Sequence, residues 1–348
     1  MKIGLIGYTQ SGKTTLFQAI TGAVPDPSLG MKGQSALCMV EDERLNFLAT
    51  LFNPVKKTFA TVEFVDIPGL TPKDESFSQR VSTAKNSDAF IFVLDAFTSK
   101  EVSSSLKSLR EEFILSDIVS LSTRADRLED AIKKGKSRNK DQDSKELKDL
   151  RSIIQALEKG EKPDFSSFSP ERMASLRGFQ LFSLKPELVV INCSESDISR
   201  PVSYFIEDSD LLSTLSNAVV LSSKLELDLA ELDDESRLDF MKDLGVSSLA
   251  KNRLIQEAYR ALGLSSFFTV GEDECKAWTI PIGASALEAA GKIHSDIARG
   301  FIRAEVVDFE CMKEYKSMKD IKAKGLYRLE GKEYQVKDGD IINFRFNV

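Results

Sequence analysis

Short apolar runs of strand length occur along the chain at residues 2–7, 61–66, 89–97, 188–195 and 217–224. Polar or helix-forming segments separate these runs. After the first run, Leu16, Phe17 and Ile20 share one face of a predicted helix, and Gly22 is a natural helix stop. Strands that alternate with helices are typical of an α/β fold with a mostly parallel sheet, which we therefore expect here.

A different spacing follows the third run, where apolar residues recur alternately four and three positions apart. One series is Ile114, Ile118, Leu121, Ala125, Leu128 and Ile132, and a second is Leu147, Leu150, Ile154 and Leu157. This spacing is typical of a coiled-coil seam, and the polar break between the series predicts an antiparallel helical hairpin. Its tip carries Lys133, Lys134, Lys136, Arg138 and Lys140. These side chains either contact RNA phosphates or are simply solvated.

The last part of the chain changes to shorter β-type segments, such as residues 301–307, with a tight turn at residues 338–340. Basic and acidic residues are nearly equal in number from Ala277 onward, which gives no sign of an RNA-binding face. We predict an α/β domain at residues 1–100 and 181–265. A helical coiled-coil insertion is expected at 101–180, and a small domain of β-type segments at 266–348.

Residues 7–15, GYTQSGKTT, match the phosphate-binding pattern G-x-x-x-x-G-K-[ST]. The match lies between a predicted strand and a predicted helix, which is the context a P-loop requires. Gly7 and Gly12 let backbone N–H groups surround phosphate oxygens, and the helix N-terminus adds its positive dipole end. Lys13 is expected to reach the β- and γ-phosphates, and the Thr14 hydroxyl is expected to coordinate Mg²⁺.

A second motif, D-x-x-G, runs from Asp66 at the end of a predicted strand to Gly69. P-loop proteins place an aspartate here to hold Mg²⁺, often through water, and the glycine N–H can approach the γ-phosphate. Leu70 follows, where Ras-like GTPases carry the glutamine that orients the attacking water. Because leucine cannot orient water, hydrolysis must be slow or must use a group from elsewhere.

The segment expected to face the base is Asn192-Cys193-Ser194-Glu195, where guanine-binding proteins carry N-K-x-D. Cys193 replaces the lysine that stacks on the base, and Glu195 replaces the aspartate that binds guanine. These changes weaken the case for guanine, whereas adenine could be bound by backbone groups. Residues 222–224, SSK, resemble the S-A-K loop that closes the base pocket.

The predicted site combines these segments. The residues expected to bind the nucleotide are Gly7, Tyr8, Thr9, Gln10, Ser11, Gly12, Lys13, Thr14, Thr15, Asn192, Glu195, Ser222, Ser223 and Lys224. The expected metal ligands are Thr14 and Asp66, and the residues expected to act in catalysis are Lys13 and Gly69.

Composition argues against several other kinds of protein. The 348 residues include a single histidine, His294, so a His-based metal site or a Ser-His-Asp triad has little support. Four cysteines without C-x-x-C spacing argue against a zinc site or a disulfide framework and fit a cytoplasmic location. The net charge of −7 means that any nucleic-acid contact needs a local patch, and we expect no DNA partner. With no run of about 18 apolar residues, we expect no membrane partner.

Several segments resemble the YchF/Obg-like ATPase family. They are N-x-x-E in place of N-K-x-D, the hydrophobic residue after D-x-x-G, KPELVVIN at residues 185–192, and C-terminal stretches such as GLSSFFTVGEDECKAWTI and YQVKDGDIINFRFNV. The resemblance covers nearly the whole chain. It implies a P-loop nucleotide-binding (G) domain at residues 1–100 and 181–265, a coiled-coil insertion at 101–180 and a C-terminal, β-grasp-like TGS domain at 266–348. It also implies Mg²⁺-dependent, slow hydrolysis of ATP to ADP, with ribosomes or ribosomal RNA as partners.

The chain departs from the family pattern in both switch regions and in the P-loop. Thr9 and Gln10 stand where the family has Pro-Asn, and potassium dependence is therefore doubtful, because that asparagine is linked to potassium in related G-proteins. The threonine of the first switch falls near Gly30, and residues 71–79 replace a Gly-rich second switch. Two alternatives stay open: a GTPase of the same fold, and a nucleotide-sensing ribosome-binding factor with negligible hydrolysis.

Overall fold

A computed structural model of the chain describes residues 1–71, 77–99, 101–137, 139–166, 168–215, 217–244 and 249–347. Twelve strands lie in these ranges and form two six-stranded sheets. In chain order they are β1 Lys2–Ile6, β2 Gln34–Val40, β3 Lys56–Thr58, β4 Ala60–Asp66, β5 Ala89–Asp95, β6 Glu187–Asn192, β7 Val219–Leu221, β8 Leu264–Thr269, β9 Glu274–Pro281, β10 Phe301–Val307, β11 Arg328–Glu330 and β12 Ile341–Phe346.

Fifteen α-helices occur in the same ranges. They are α1 Lys13–Thr21, α2 Glu43–Phe52, α3 Phe77–Lys85, α4 Val102–Lys133, α5 Lys140–Glu158, α6 Pro170–Arg177, α7 Val202–Phe205, α8 Ser209–Ser213, α9 Ser223–Glu231, α10 Asp234–Asp243, α11 Ala250–Ala261, α12 Ala286–Ile293, α13 Ser295–Arg299, α14 Phe309–Tyr315 and α15 Met318–Ala323. Short 3₁₀ helices span Pro27–Lys32, Phe182–Leu184 and Glu195–Asp197.

The first sheet has the strand order β2-β4-β1-β5-β6-β7. Its strands are parallel except β2, which pairs antiparallel with β4 at one edge. The predicted α/β fold with a mostly parallel sheet is therefore confirmed. Parallel strands end at the same edge of a sheet, so the segments after β1, β4, β5, β6 and β7 lie together there. The motifs picked out in the sequence follow four of these strands.

The two longest helices, α4 and α5, form the predicted antiparallel hairpin. Leu121, Ala125 and Leu128 of α4 share a buried cluster with Leu150 and Leu157 of α5. These are seam positions that the four-and-three spacing predicted, because only a seam that faces the partner helix can be buried in an extended hairpin.

A buried carboxylate fixes the base of the hairpin to the segment that leads into β6. Asp117 of α4 is fully buried and accepts hydrogen bonds from the backbone nitrogens of Phe182 and Ser183, at 3.1 and 2.9 Å. Burial raises the pKa of Asp117, and the two backbone donors oppose that shift. The segment that returns from the hairpin to β6 is thereby held against α4.

The second sheet has the order β11-β10-β12-β8-β9-β3 and mixes parallel and antiparallel pairs. Its edge strand β3 comes from the N-terminal part of the chain, inside the unit predicted at residues 1–100. One buried cluster runs from Ile3 and Phe64 of the first sheet to Phe268 and Ile341 of the second. The two sheets therefore share a core. The predicted boundaries and the TGS assignment stay predictions.

Candidate nucleotide-binding site

The P-loop connects β1 to α1 at the carboxyl edge of the first sheet. Gly12 precedes α1 in the left-handed conformation, with a φ of 88°, which glycine adopts without steric penalty. A Cβ at Gly12 would lie 2.2 Å from Nδ2 of Asn192. Glycine is thus required here both for the turn and for the close approach of a neighbouring side chain.

Lys13 begins α1 and is only 5% exposed. Its Nζ donates a hydrogen bond to the carbonyl oxygen of Tyr8 at 2.7 Å and lies 3.4 Å from Oγ of Ser11. Burial lowers the pKa of Lys13 to about 8, while the charge of Asp66 raises it and that of Arg80 lowers it. A bound phosphate would stabilise this poorly solvated ammonium, because opposite charges at close range favour the charged form.

Thr14 and Asp66, the two predicted metal ligands, lie in direct contact. The Thr14 hydroxyl donates to Oδ2 of Asp66 at 2.7 Å. Oδ1 of Asp66 is buried and has no hydrogen-bond partner among the residues that the structure describes. Burial raises the pKa of Asp66, and the Thr14 hydroxyl and the Lys13 charge oppose that shift. Hydroxyl and carboxylate oxygens are ligands that Mg²⁺ prefers, so the pair and its unsatisfied oxygen fit this ion.

The D-x-x-G segment packs against the P-loop backbone. Thr9 N donates to the carbonyl oxygen of Leu70 at 3.1 Å, and Leu70 N donates to that of Gly7 at 3.0 Å. A Cβ on Gly69 would lie 2.8 Å from Cα of Thr9. The Leu70 side chain is 1% exposed and belongs to a buried cluster of the first sheet. Leu70 therefore contributes packing at the position where Ras-like GTPases carry the glutamine that orients water.

A guanidinium that the sequence analysis missed reaches the same segment. Arg80 of α3 is half-buried, and its Nη1 donates to the carbonyl oxygen of Gly69. The same nitrogen lies 3.5 Å from Oγ1 of Thr71. No motif spacing connects a helix residue to a glycine 11 positions earlier, so only the fold could reveal this contact.

Asn192 joins the P-loop to the loop after β7. Its Nδ2 donates to the carbonyl oxygen of Ser11 at 3.0 Å, and its Oδ1 accepts from the backbone nitrogen of Ser223 at 2.8 Å. Both ends of the amide are thus bound within the protein. This geometry gives Asn192 a positioning role, and its predicted contact with the base stays a prediction.

Two open cavities meet at the P-loop. One, of about 330 Å³, is lined by Thr9, Gln10, Gly12, Lys13, Thr14, Thr15 and Gly69. The other, of about 380 Å³, is lined by Gln10, Gly12, Thr15, Asp95, Phe97, Thr98, Asn192, Cys193, Glu195, Ser222, Ser223 and Lys224. We refer to them as the phosphate cavity and the nucleoside cavity. Because three residues line both, a single extended ligand can occupy the two together.

Most predicted binding residues line one of these cavities. Gly7, Tyr8 and Ser11 do not line either cavity and instead support the P-loop. The carbonyl oxygen of Gly7 accepts a hydrogen bond from the backbone nitrogen of Leu70, and that of Tyr8 accepts one from Lys13. Ser11 is buried, with 2% of its surface exposed. Larger cavities of about 560 and 590 Å³ lie beside α5 and α6 and in the second sheet, away from these residues.

The end of β5 supplies lining residues that the sequence analysis also missed. Oδ1 of Asp95 accepts hydrogen bonds from the backbone nitrogens of Phe97 and Thr98, at 2.9 and 3.0 Å, and fixes the turn. Phe97 is 66% exposed at the nucleoside cavity. An exposed aromatic directly after a buried strand is the sequence signal that could have identified it.

Cys193 lies at the position where guanine-binding proteins stack a lysine on the base. It is 1% exposed, and its backbone nitrogen donates to the carbonyl oxygen of Leu221 at 2.9 Å. Burial raises the pKa of its thiol to about 11. The cysteine is therefore a core residue with little reactivity, and Glu195 and Lys224 are the exposed charged residues of this cavity.

Comparison with known proteins assigns the chain to a family. Three proteins named Ribosome-binding ATPase YchF are 32%, 33% and 34% identical to it, from Haemophilus ducreyi, Escherichia coli O157:H7 and Bacillus subtilis. Each alignment covers at least 99% of both chains. The chain belongs to the YchF family. The resemblance inferred from its motifs is thereby confirmed.

Family models and a solved structure agree with this assignment. A model named YchF-GTPase_C, described as a protein of unknown function (DUF933), matches residues 264–347, and one described as a 50S ribosome-binding GTPase matches residues 2–121. The structure of the Schizosaccharomyces pombe YchF GTPase is 25% identical, with a TM-score of 0.85 over 99% of this chain and 97% of that one. The YchF fold therefore extends over the hairpin and the second sheet.

Some sequence features of this YchF-family chain fall outside the described residues, namely residues 72–76 of the diverged second switch and Arg138 of the hairpin tip. Among the described residues, no group of three or more His, Cys, Asp or Glu side chains could hold a metal ion. Within the same described ranges, no helix combines the length and the apolar character needed to span a bilayer.

Proposed function

We propose that this chain is a Mg²⁺-dependent nucleoside triphosphatase that hydrolyses ATP to ADP slowly and associates with ribosomes. The observation that carries the proposal is that Lys13 and Thr14 line the phosphate cavity while the Thr14 hydroxyl is bound to Asp66. The names of the curated relatives, which call them ribosome-binding ATPases, support both the substrate and the partner.

The phosphate cavity has the groups that a triphosphate needs. Backbone N–H groups around Gly12 and the N-terminus of α1 would surround the β-phosphate. The Lys13 ammonium would leave the carbonyl oxygen of Tyr8 for the β- and γ-phosphates, where the negative charge is greater. The Gly69 N–H would approach the γ-phosphate. Catalysis would then come mainly from positioning and electrostatic stabilisation.

Thr14 and Asp66 would hold the magnesium ion, the threonine through its hydroxyl and the aspartate directly or through water. Bound Mg²⁺ would neutralise negative charge on the β- and γ-phosphate oxygens. The buried Oδ1 of Asp66, which lacks a protein partner among the described residues, supports this assignment.

Adenine is the base that the nucleoside cavity fits better. A lysine that could stack on guanine is replaced by the buried Cys193, and the exposed Glu195 is one methylene longer than the aspartate that grips guanine. Phe97 offers an exposed ring on which either base could stack. With the two guanine-selective groups altered, recognition of adenine by backbone groups becomes the favoured interpretation.

Slow turnover follows from Leu70. Its side chain is buried and apolar, so it can neither orient nor polarise an attacking water. The same observation supports the alternative of a nucleotide sensor that binds ATP and barely hydrolyses it. A GTPase of the same fold is the other alternative, which the family-model description of residues 2–121 supports.

The hairpin tip is our candidate for ribosome contact. Lys133 and Lys134, at the end of α4 and directly after it, pair with Glu129 and Asp130 of that helix at 2.7 and 2.8 Å. Such exposed pairs contribute little to stability, so the lysines can exchange these partners for RNA phosphates. Lys136 and Lys140 are exposed as well.

Turnover assays separate the enzyme from the sensor. ATP hydrolysis should be measured in the wild type and in Lys13→Ala, with and without purified ribosomes. The proposal predicts slow wild-type hydrolysis that Lys13→Ala abolishes. Wild-type turnover no higher than that of Lys13→Ala, even with ribosomes present, would favour the sensor and reject the enzyme.

A further inference from the structure

Arg80 contacts a residue that lines the phosphate cavity. It lies on α3, and its Nη1 donates to the carbonyl oxygen of Gly69. Gly69 and Lys13 both line the phosphate cavity. The positive charge of Arg80 is also close enough to lower the pKa of Lys13. The Arg80 guanidinium is therefore one residue removed from the cavity in which a triphosphate would lie.

The position that orients the attacking water in Ras-like GTPases carries no polar group in this chain. Leu70 is buried and cannot act on water or phosphate. The single histidine of the chain, His294, is at the N-terminus of α13 in the C-terminal part, where its Nδ1 accepts from the backbone nitrogen of Asp296. In P-loop enzymes an arginine can stabilise the negative charge of the transition state at the γ-phosphate, and in some of them the same chain supplies it.

We infer that Arg80 is a catalytic residue, a cation supplied by the chain itself that binds the γ-phosphate in the transition state; this rests on the proposed function. A guanidinium has five N–H donors in a fixed fork, so it can hold the Gly69 carbonyl oxygen and a phosphate oxygen at once. The contact with Gly69 then sets the guanidinium beside the γ-phosphate before reaction begins.

The role of Arg80 in the reaction is electrostatic. The oxygen of a water molecule forms a bond to the γ-phosphorus while the bond from that phosphorus to the β–γ bridging oxygen breaks. The electron pair of the broken bond leaves on ADP, and the proton lost by the water passes through solvent or phosphate oxygens. Arg80 takes no proton. It binds the γ-phosphoryl oxygens more strongly in the transition state than in bound ATP, so it raises kcat more than it raises affinity.

Three variants test this role: Arg80→Ala, Arg80→Lys, and Arg253→Ala as a control on an exposed arginine of α11. Single-turnover ATP hydrolysis gives the rate of the chemical step, and calorimetric titration gives the affinities for ADP and for ADP with aluminium fluoride, which mimics the transition state. We expect Arg80→Ala to lower the rate about 100-fold while ADP affinity changes less than about threefold. Arg80→Lys keeps the positive charge but lacks the forked guanidinium, so its rate should lie between those of the wild type and Arg80→Ala.

The aluminium fluoride measurement distinguishes catalysis from structure. The inference predicts that Arg80→Ala loses the extra affinity for ADP with aluminium fluoride and keeps the affinity for ADP alone. The inferred role would be overturned if Arg80→Ala lost both affinities equally, or if its single-turnover rate stayed within about threefold of the wild-type rate. An active wild type with an equally active Arg80→Ala rejects the role of Arg80 alone. A wild type no faster than Lys13→Ala rejects the proposed function, and with it this role.

Discussion

Nδ2 of Asn192 donates a hydrogen bond to the carbonyl oxygen of Ser11 at 3.0 Å, although 181 positions separate the two residues. Oδ1 of the same amide accepts a hydrogen bond from the backbone nitrogen of Ser223, so Asn192 connects the P-loop to the loop after β7. Replacing Asn192 with alanine should lower the free energy of unfolding by about 1–3 kcal/mol, because two backbone groups lose their partner. The substitution should also weaken ATP binding, since the P-loop and the loop after β7 are no longer held together.

Urea denaturation and calorimetric titration of Asn192→Ala measure both effects. Asn252→Ala is the matched control, since this asparagine lies on α11, away from the site, and its amide donates to the exposed Glu41 side chain. Asn252→Ala should change ATP affinity little. A wild-type affinity in Asn192→Ala would contradict the positioning role.

Gly69→Ala tests the contact between D-x-x-G and the P-loop. Because a Cβ would lie 2.8 Å from Cα of Thr9, one of the two backbones must move. We expect a loss of about 1–3 kcal/mol in the free energy of unfolding and slower ATP turnover. Gly271→Ala is a suitable control, since the nearest atom to its added Cβ would be 3.8 Å away. Equal effects of the two substitutions would show that the close packing at Gly69 is unimportant.

The metal assignment predicts how Mg²⁺ affects nucleotide affinity. ATP should bind the wild type more tightly with Mg²⁺ than with EDTA. Thr14→Val and Asp66→Asn should lose most of that gain, about tenfold or more, because the first removes the hydroxyl ligand and the second removes the negative charge of the carboxylate. Asp239→Asn alters an exposed carboxylate on α10 and should retain the full gain. If Asp66→Asn kept the full gain in ATP affinity with Mg²⁺, Asp66 would not be part of the metal site.

Lys185 supplies a prediction about pH. Its Nζ donates to the carbonyl oxygen of Lys85 and lies 5.5 and 5.9 Å from the ring centres of Phe90 and Phe182. Burial lowers the pKa of Lys185 from 10.5 to about 8, and two nearby carboxylates oppose the shift. Between these values the unfolded chain binds more protons at this residue than the folded protein, so its contribution to stability rises with pH.

Lys185→Met removes that titration. We subtract the free energy of unfolding of the wild type from that of Lys185→Met. This difference should be largest below pH 8 and should decline as the pH rises to 10.5, because only the wild type gains stability over that range. Urea denaturation of both proteins across this range gives the difference directly. A difference that does not vary with pH would show that Lys185 titrates normally in the fold.

The hairpin tip is tested by neutralising Lys133, Lys134, Lys136, Arg138 and Lys140 together with glutamine. Ribosome co-sedimentation should weaken, and its dependence on salt should flatten by about one unit of slope for each RNA phosphate that is no longer bound. The control neutralises five exposed lysines elsewhere, namely Lys56, Lys242, Lys313, Lys319 and Lys332. Unchanged sedimentation of the tip variant would remove this surface from the ribosome contact.

Local patterns predicted the fold, and they picked out most of the residues that line the two cavities at the P-loop. Apolar runs located the parallel strands, the seam spacing located the hairpin, and Gly12, Lys13 and Asp66 were identified because their motifs are short and lie at strand ends. The pairing of β3 with β9 was not predictable, because three residues, two of them lysines, carry no strand signal in isolation.

The missed parts of the site are contacts between segments that are distant in the chain or have no fixed spacing. Arg80 was missed because its relation to Gly69 depends on how α3 packs. The motif predicted that Asn192 faces the base but could not show that its amide forms hydrogen bonds with Ser11 and Ser223. Only the parallel order of β1, β6 and β7 brings these three residues together.

Calorimetric titration of the wild-type protein with ATP and with GTP, both in Mg²⁺, tests the central claim most directly. The buried Cys193 and the exposed Glu195 remove the groups that select guanine. We expect ATP to bind at least about tenfold more tightly than GTP, a difference of about 1.4 kcal/mol. Lys13→Ala should abolish the binding of both. A tenfold preference for GTP in the same titration would contradict the account.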